Sequence, residues 1–207
     1  ELDEQAPRGR VSGLRRPRDL AIMCQFVLQD SAFFGFLLRI DQDHAATVHA
    51  QGCSCGGPLH QASYARKPRG GARGASVDTT RISFCCGHCR LRCTPASVRF
   101  LGRRVYWGVV VVLATALCAG LSLRRGQQLS QQLGVPVLTL LRWRQWWLTG
   151  FTSTAVWHAL RGRLLPPVAT TDLPGGLLRR AVALDAPSVL ATLLQWLAPL
   201  STCTEGR

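Results

Sequence analysis

Cys53-Ser54-Cys55-Gly56-Gly57 and Cys86-Gly87-His88-Cys89 are two thiol pairs set in short Gly-containing turns, with 30 residues between them. Structural zinc takes four thiolates or imidazoles in a tetrahedron, and two such turns supply them two at a time. Glycine beside a ligand lets backbone amides approach the sulfurs. The second pair has standard Cys-x-x-Cys spacing, whereas the first is tighter than the usual knuckle. Cys85, Cys93, His60 and His88 therefore stay open as substitutes for any one ligand. Six of the nine Cys lie within 41 residues and are flanked by Gly and Arg. Apolar flanks would suit buried free thiols, as expected of Cys24, Cys118 and Cys203. The spacing predicts one structural Zn2+ on Cys53, Cys55, Cys86 and Cys89. A redox Cys-x-x-Cys would need a surrounding βαβ pattern, and none is visible. The polar stretch Glu1 to Arg18 lacks the apolar core of a secretory signal, which argues against a disulfide scaffold and for a cytoplasmic protein.

The second chemistry is polyanion binding. Lys plus Arg number 25 against 11 Asp plus Glu, and Lys67 is the one lysine among them. Arg makes planar, bidentate contacts with phosphate and guanine, although a GC-rich genome would also favour its codons. Position is more telling than the sum. Residues 1–52 hold six basic and seven acidic side chains, residues 53–104 ten against one, and residues 124–163 six against none. Fields of this kind attract nucleic acid and make affinity depend steeply on salt. Arg66, Lys67, Arg69, Arg103 and Arg104 are the expected phosphate contacts in the first basic stretch.

The second basic stretch contains Gly126 to Gln145, which fits a helix-turn-helix. Leu129 and Leu133 would face the core, Gly134 would take a left-handed turn, Val135 would plug the corner, and Leu140 and Trp143 would anchor the second helix. Thr139, Arg142 and Gln145 would then look outward toward base edges, with Arg124, Arg125 and Arg144 on phosphates. Val137 and Leu138 are discordant, because a DNA reader normally shows polar side chains there. An ordinary helical hairpin with Trp143, Trp146 and Trp147 in a core is the competing reading.

These groups must be positioned by a mainly α fold with a small β zinc ribbon. Residues 1–18 read as a flexible basic arm. Residues 19–104 combine a helical or mixed element, Asp19 to Ala50, with the ribbon, in which a loop (66–76) precedes a strand-like Arg81-Ile82-Ser83-Phe84. Residues 105–165 form the helix-turn-helix domain, and 166–207 a C-terminal helical segment. The charge-free run 105–123 has the length of a membrane span, so a single-span protein with a zinc-binding head is the alternative. Its Gly, Ala, Thr and Ser content and the Arg at both ends favour a buried central helix. Thr152 and Ser153 are candidate N-caps for a helix that Pro166-Pro167 would stop, and a last helix runs from Ser188 to Leu197.

The run Thr94-Pro95-Ala96-Ser97-Val98-Arg99-Phe100-Leu101-Gly102-Arg103-Arg104, followed by an apolar helix, Leu133-Gly134-Val135 and Leu141-Arg142-Trp143-Arg144, resembles a group of bacterial mobile-element-associated zinc-ribbon/helix-turn-helix proteins over residues 24–200. More distantly, residues 53–147 resemble the N-terminal DNA-binding half of insertion-sequence transposases. The resemblance implies double-stranded DNA as ligand. It also implies a nucleoid-associated role as a transposition accessory or regulator, and a transposase, a recombinase or a second copy of the chain as protein partner. The catalytic ribonuclease-H-like domain of those transposases finds no counterpart. After the helix-turn-helix only Asp172, Asp185 and Glu205 are acidic, and a metal-dependent nuclease needs clustered carboxylates. No enzyme is expected.

Overall fold

The computed structural model describes residues 26–70, 77–102, 104–118, 123–183 and 188–202, without the side chains of Leu123, Arg125 and Ala183. Residues 26–29 are helical, and the long helix α1 (Ser31–Gln51) follows. Asp30 caps it by accepting from the amides of Ala32 and Phe33 at 2.9 and 3.2 Å. The side chain thereby satisfies N–H groups that a helix start leaves without partners. Phe34, Leu37, Ile40, Asp41 and Ala45 form its buried stripe, at the three- and four-residue spacing of one helix face. Gly52, at φ 72°, ends the helix and donates to Val48 and His49 carbonyls, so Cys53 leaves directly from a helix C-terminus.

The β part is small and antiparallel. Strands β1 (Leu59–Gln61), β4 (Phe84–Cys86) and β5 (Arg92–Cys93) make one sheet in the order β1-β4-β5, and β2 (Tyr64–Ala65) pairs with β3 (Thr80–Arg81) in another. The expected strand at residues 81–84 is thus split between two sheets, with Ile82 and Ser83 at the crossing. Registers are Leu59 with Cys86, His60 with Cys85, and Phe84 with Cys93.

The apolar run is shorter as a helix than as a sequence. Helix α2 spans Gly108–Cys118. Tyr106 and Trp107 instead bridge to Arg69 and Phe100, and residues 119–122 lie outside the described residues. All of Gly108 to Leu117 is buried. A helix apolar on every face belongs inside a core when other elements surround it, and α2 contacts the helices α4 (Val137–Leu148), α6 (Gly175–Ala183) and α7 (Val189–Leu197). Among the described residues no helix is long and apolar enough to cross a membrane. Helix α3 (Leu123–Leu133) precedes α4, and α5 (Ala155–Arg161) follows it. The cap of α5 is Thr154, which accepts from the Trp157 amide at 3.2 Å, and not the expected Thr152 or Ser153, which sit in a preceding 3-10 turn. Helix α5 also stops at Arg161, short of Pro166. Helix α6 has no separate counterpart among the elements expected from sequence.

One apolar cluster runs from Leu28 through Trp107, Trp147 and Leu177 to Leu200, and a second, under the ribbon, contains Ala45, Leu59, Phe84 and Cys86. The two are tied by a buried polar network. Asp41 accepts from Ser97 Oγ (2.6 Å), the Val98 amide (2.7 Å) and Arg99 Nε (2.7 Å), and Arg99 in turn donates to the Asp78 and Thr80 carbonyls at 2.8 and 2.6 Å. Both partners are about 1% exposed. So deep a pair is tolerable because nearly every lone pair and proton is used.

Candidate metal centre and basic surface

Three local structures bring four sulfurs together. The end of α1 delivers Cys53. A turn closed by the Gly56 amide on the Cys53 carbonyl (2.8 Å) carries Cys55, with Gly56 at φ 76°. The end of β4 delivers Cys86, and a second turn, in which the Arg90 amide donates to the Cys86 carbonyl at 3.1 Å, returns Cys89. Arg90 itself stands at φ 61°, the left-handed region that few non-glycine residues adopt. The Sγ atoms of Cys53, Cys55, Cys86 and Cys89 all lie within 4.8 Å of one another. Cys53–Cys89 and Cys53–Cys55 are each 3.5 Å apart and Cys55–Cys86 3.4 Å. These distances are too long for disulfides, whose sulfurs stand about 2.0 Å apart. They are near the edge of about 3.8 Å that a tetrahedron of Zn–S bonds requires. This group of four cysteines could hold a metal ion.

Electrostatics agree with that use. The Cys89 and His88 amides, aimed at the Cys86 sulfur, draw its pKa down to about 6. The Leu91 amide pulls Cys89 the same way, but the facing Cys55 and Cys53 thiols prevail and push it up to about 12. Four thiols this close cannot all ionise alone, and a divalent cation removes the conflict.

The cluster is crowded at two of its glycines. A Cβ on Gly57 would stand 2.7 Å from Cys86 Sγ and 2.9 Å from His88 Cβ, and one on Gly87 would stand 2.9 Å from His60 Nε2. Of the substitute ligands, Cys85 is turned away by strand alternation: neighbouring residues of β4 face opposite sides, and the Cys85 thiol meets the Arg90 carbonyl at 3.5 Å. His60, His88 and Cys93 are also outside the four-sulfur group. Cys118, as expected of a free thiol, is half-buried, and burial pushes it up to about 11. Cys24 and Cys203 lie outside the described residues.

The basic residues divide into engaged and outward sets. Arg66 donates to the Gly102 and Arg104 carbonyls at 3.2 and 3.0 Å and stacks on Phe100, so it braces the chain internally. Arg104 lies 3.9 Å over the Trp146 ring, where burial lowers its pKa to about 10 and leaves it charged at neutral pH. Arg144 donates to the Cys118 carbonyl at 2.9 Å, which serves the C-terminal end of α2. Lys67, Arg69, Arg124, Arg142 and Gln145 are exposed, and Thr139 is half-buried. Arg103 and the Arg125 side chain lie outside the described residues.

At the α3–α4 corner, Gly134 has φ 62°, and Leu129, Leu133, Val135, Leu140 and Trp143 are all buried. Sequence reasoning missed the Asp41–Arg99 pair and the close approach of Gly57 to Cys86. An Asp on the apolar stripe of α1 was the available signal for the first.

No protein-family model matches the chain, and no curated protein or solved structure is significantly similar to it.

Proposed function

We propose that this chain is a zinc-stabilised DNA-binding protein of a bacterial mobile element, a transposition accessory or regulator that works on the nucleoid without a catalytic centre of its own. The convergence of Cys53, Cys55, Cys86 and Cys89 carries the first half of the reading. Four thiolates suit zinc or iron in tetrahedral geometry, and in this role the ion closes the ribbon and does no chemistry on a substrate.

The second half rests on charge. Between Asp78 and Asp172 the chain has twelve Arg and no Asp or Glu. With Arg66 and Arg144 engaged internally, Lys67, Arg69 and Arg124 are the side chains we assign to phosphates. We read α3, the turn at Gly134 and α4 as a helix-turn-helix, supported by the left-handed glycine and the buried Leu129, Val135 and Leu140. Base readout then falls to Arg142 and Gln145, with the half-buried Thr139 a poorer reader.

The test is metal analysis of protein purified without chelator, combined with a salt titration of its binding to duplex DNA. The reading expects one zinc per chain and a linear fall of log affinity with log salt, at about 0.9 per phosphate neutralised. Colourless protein with zinc well below half an equivalent, or duplex affinity indifferent to salt, would refute it. Arg142→Ala separates base readout from phosphate binding. A base contact loses about 1–3 kcal/mol on the preferred site alone, whereas a phosphate contact weakens every duplex equally.

A further inference from the structure

Helix α4 turns Leu140, Trp143 and Trp147 inward, yet its opposite face is also apolar. Leu138 is 67% and Leu141 53% exposed. With Leu148, Gln145 and the Arg142 and Arg144 side chains they line an open groove of about 400 Å³. Positions 138, 141, 145 and 148 recur every three or four residues, so they form one continuous stripe along the helix. At 1.5 Å per residue it is about 15 Å long, the span of three helical turns.

Charge narrows what this stripe can face. A second copy would bring Arg142 and Arg144 against their own kind, and no Asp or Glu occurs between Asp78 and Asp172 to offset them. Duplex DNA would satisfy the arginines but leave Leu138 and Leu141 against base edges, to which leucine offers no hydrogen bond. A lipid surface would need a broader apolar face than a trough with two leucines well exposed. A helix with apolar residues at i, i+3, i+4 and i+7 and carboxylates along its flanks satisfies both features at once, by the helix-in-groove mode.

We propose that the outward face of α4 docks an acidic amphipathic helix of another protein, with Leu138 and Leu141 as the apolar contacts and Arg142 as the rim charge. This groove shares Arg142 and Gln145 with the base readout proposed above, so a helix docked here and duplex DNA would compete for the face, and a docked protein would set target selection for a chain whose own base contacts are few.

The probe is a fluorescein-labelled designed peptide with Leu at i, i+3, i+4 and i+7 and Glu on both flanks, titrated with the full chain by anisotropy. Controls are a scrambled peptide and one with Lys in place of Glu. The patterned acidic peptide should bind saturably at micromolar concentration, at least about tenfold tighter than either control. Leu138→Gln/Leu141→Gln should weaken it by about tenfold or more, as loss of central apolar contacts does, and Arg142→Gln by several-fold. Both leucines are exposed, so circular dichroism should show the variants folded. Duplex DNA affinity of the double Gln variant, which changes no charge, should match the unaltered chain.

Equal binding of all three peptides, or no saturation by the acidic one, would overturn the proposal. Three further outcomes would reassign the face instead. Loss of DNA affinity in the double variant would place it on nucleic acid. A dimer that dissociates in the variant would place it between copies, and variant-sensitive binding to phosphatidylglycerol vesicles would place it on a membrane. Failure of the DNA reading shows separately, in the salt titration of the unaltered chain.

Discussion

Gly57→Ala is the sharpest probe of the candidate metal centre, because it adds one methyl group and replaces no ligand. That carbon would stand 2.7 Å from Cys86 Sγ and 2.9 Å from the Cβ and Cγ of His88, whereas unstrained heavy atoms keep about 3.5–4.0 Å. An overlap of nearly an ångström must be relieved. Neither neighbour is the loose end of a long side chain: Cys86 is held in β4, opposite Leu59, and His88 lies inside the Cys86–Cys89 turn. Overpacking of this kind costs about 1–3 kcal/mol. If Cys86 must move while the metal holds it, that cost falls on binding, and each 1.4 kcal/mol is about tenfold. Zinc affinity, measured by competition with a chromophoric chelator, should drop roughly tenfold to a hundredfold. Gly56→Ala is the control, since nothing lies within 4 Å of its Cβ and its φ is +76°. It should cost about 1–2 kcal/mol of left-handed strain in the thermal stability of the zinc form. Zinc affinity of Gly57→Ala equal to that of the unaltered chain would refute the placement of Cys86 in the metal's shell.

Cys89→Ser should lose zinc and unfold the ribbon, because metal binding at such sites supplies on the order of 10 kcal/mol of apparent folding free energy. Cys85→Ser should retain a full equivalent by metal analysis, since its thiol faces the other side of β4. Asp41→Ala should destabilise the fold by about 3–5 kcal/mol in denaturant titrations, the cost of leaving the Arg99 charge buried without its partner. Neutralising Lys67 and Arg69 together should lower the salt slope of DNA binding by about one unit per lost contact. Arg66→Gln should instead lower the melting temperature, since its guanidinium braces Gly102 and Arg104.

Much of the four-cysteine group is legible in sequence because its information is local. Each sulfur pair sits within four residues, and the glycines that permit the turns adjoin them. Choosing Cys86 over Cys85 needs one further step, the alternation of a strand, and Cys-x-x-Cys spacing reaches the same choice. The α3–α4 corner is legible for the same reason, with Gly134 and Val135 adjacent. What escapes is long-range. Asp41 and Arg99 are 58 residues apart, and no local pattern announces that an acid in the middle of α1 meets Ser97, Val98 and Arg99. The roles of Arg66 and Arg144 escape likewise, because carbonyls of distant residues decide whether a guanidinium is a strut or a surface charge. Helix α6 is hidden by its start: Pro174-Gly175-Gly176 reads as a loop, and only the burial of Leu177, Leu178 and Ala181 reveals the helical spacing behind it. The apolar run misleads in the opposite direction. Its length counts Val105, Tyr106 and Trp107, but before α2 begins Tyr106 and Trp107 are drawn off into bridges with Arg69 and Phe100, and the Val105 carbonyl accepts from the Arg69 amide.

Helix α1 explains why a small ribbon can sit on a helical body. Its C-terminal end passes straight into Cys53, and Asp41, eleven residues before Gly52, holds the Ser97–Arg99 segment from about three turns away. That segment is held from its other side as well: the Ser97 amide donates to Ser201 Oγ at 2.8 Å, and Arg81 of β3 reaches the same oxygen at 3.4 Å. The ribbon, α1 and the turn after α7 thus meet through one set of hydrogen bonds, and a metal held by the four cysteines would close the loop at the far end of α1. A zinc knuckle alone anchors only the residues between its ligands. Here the same helix carries a ligand-bearing turn at its end and a buried carboxylate at its centre, so ordering Cys53 also favours the register that places Asp41 against Arg99. On the proposed reading, loss of metal would then be felt beyond the ribbon, in the contacts that hold Val98 and Phe100 against the core.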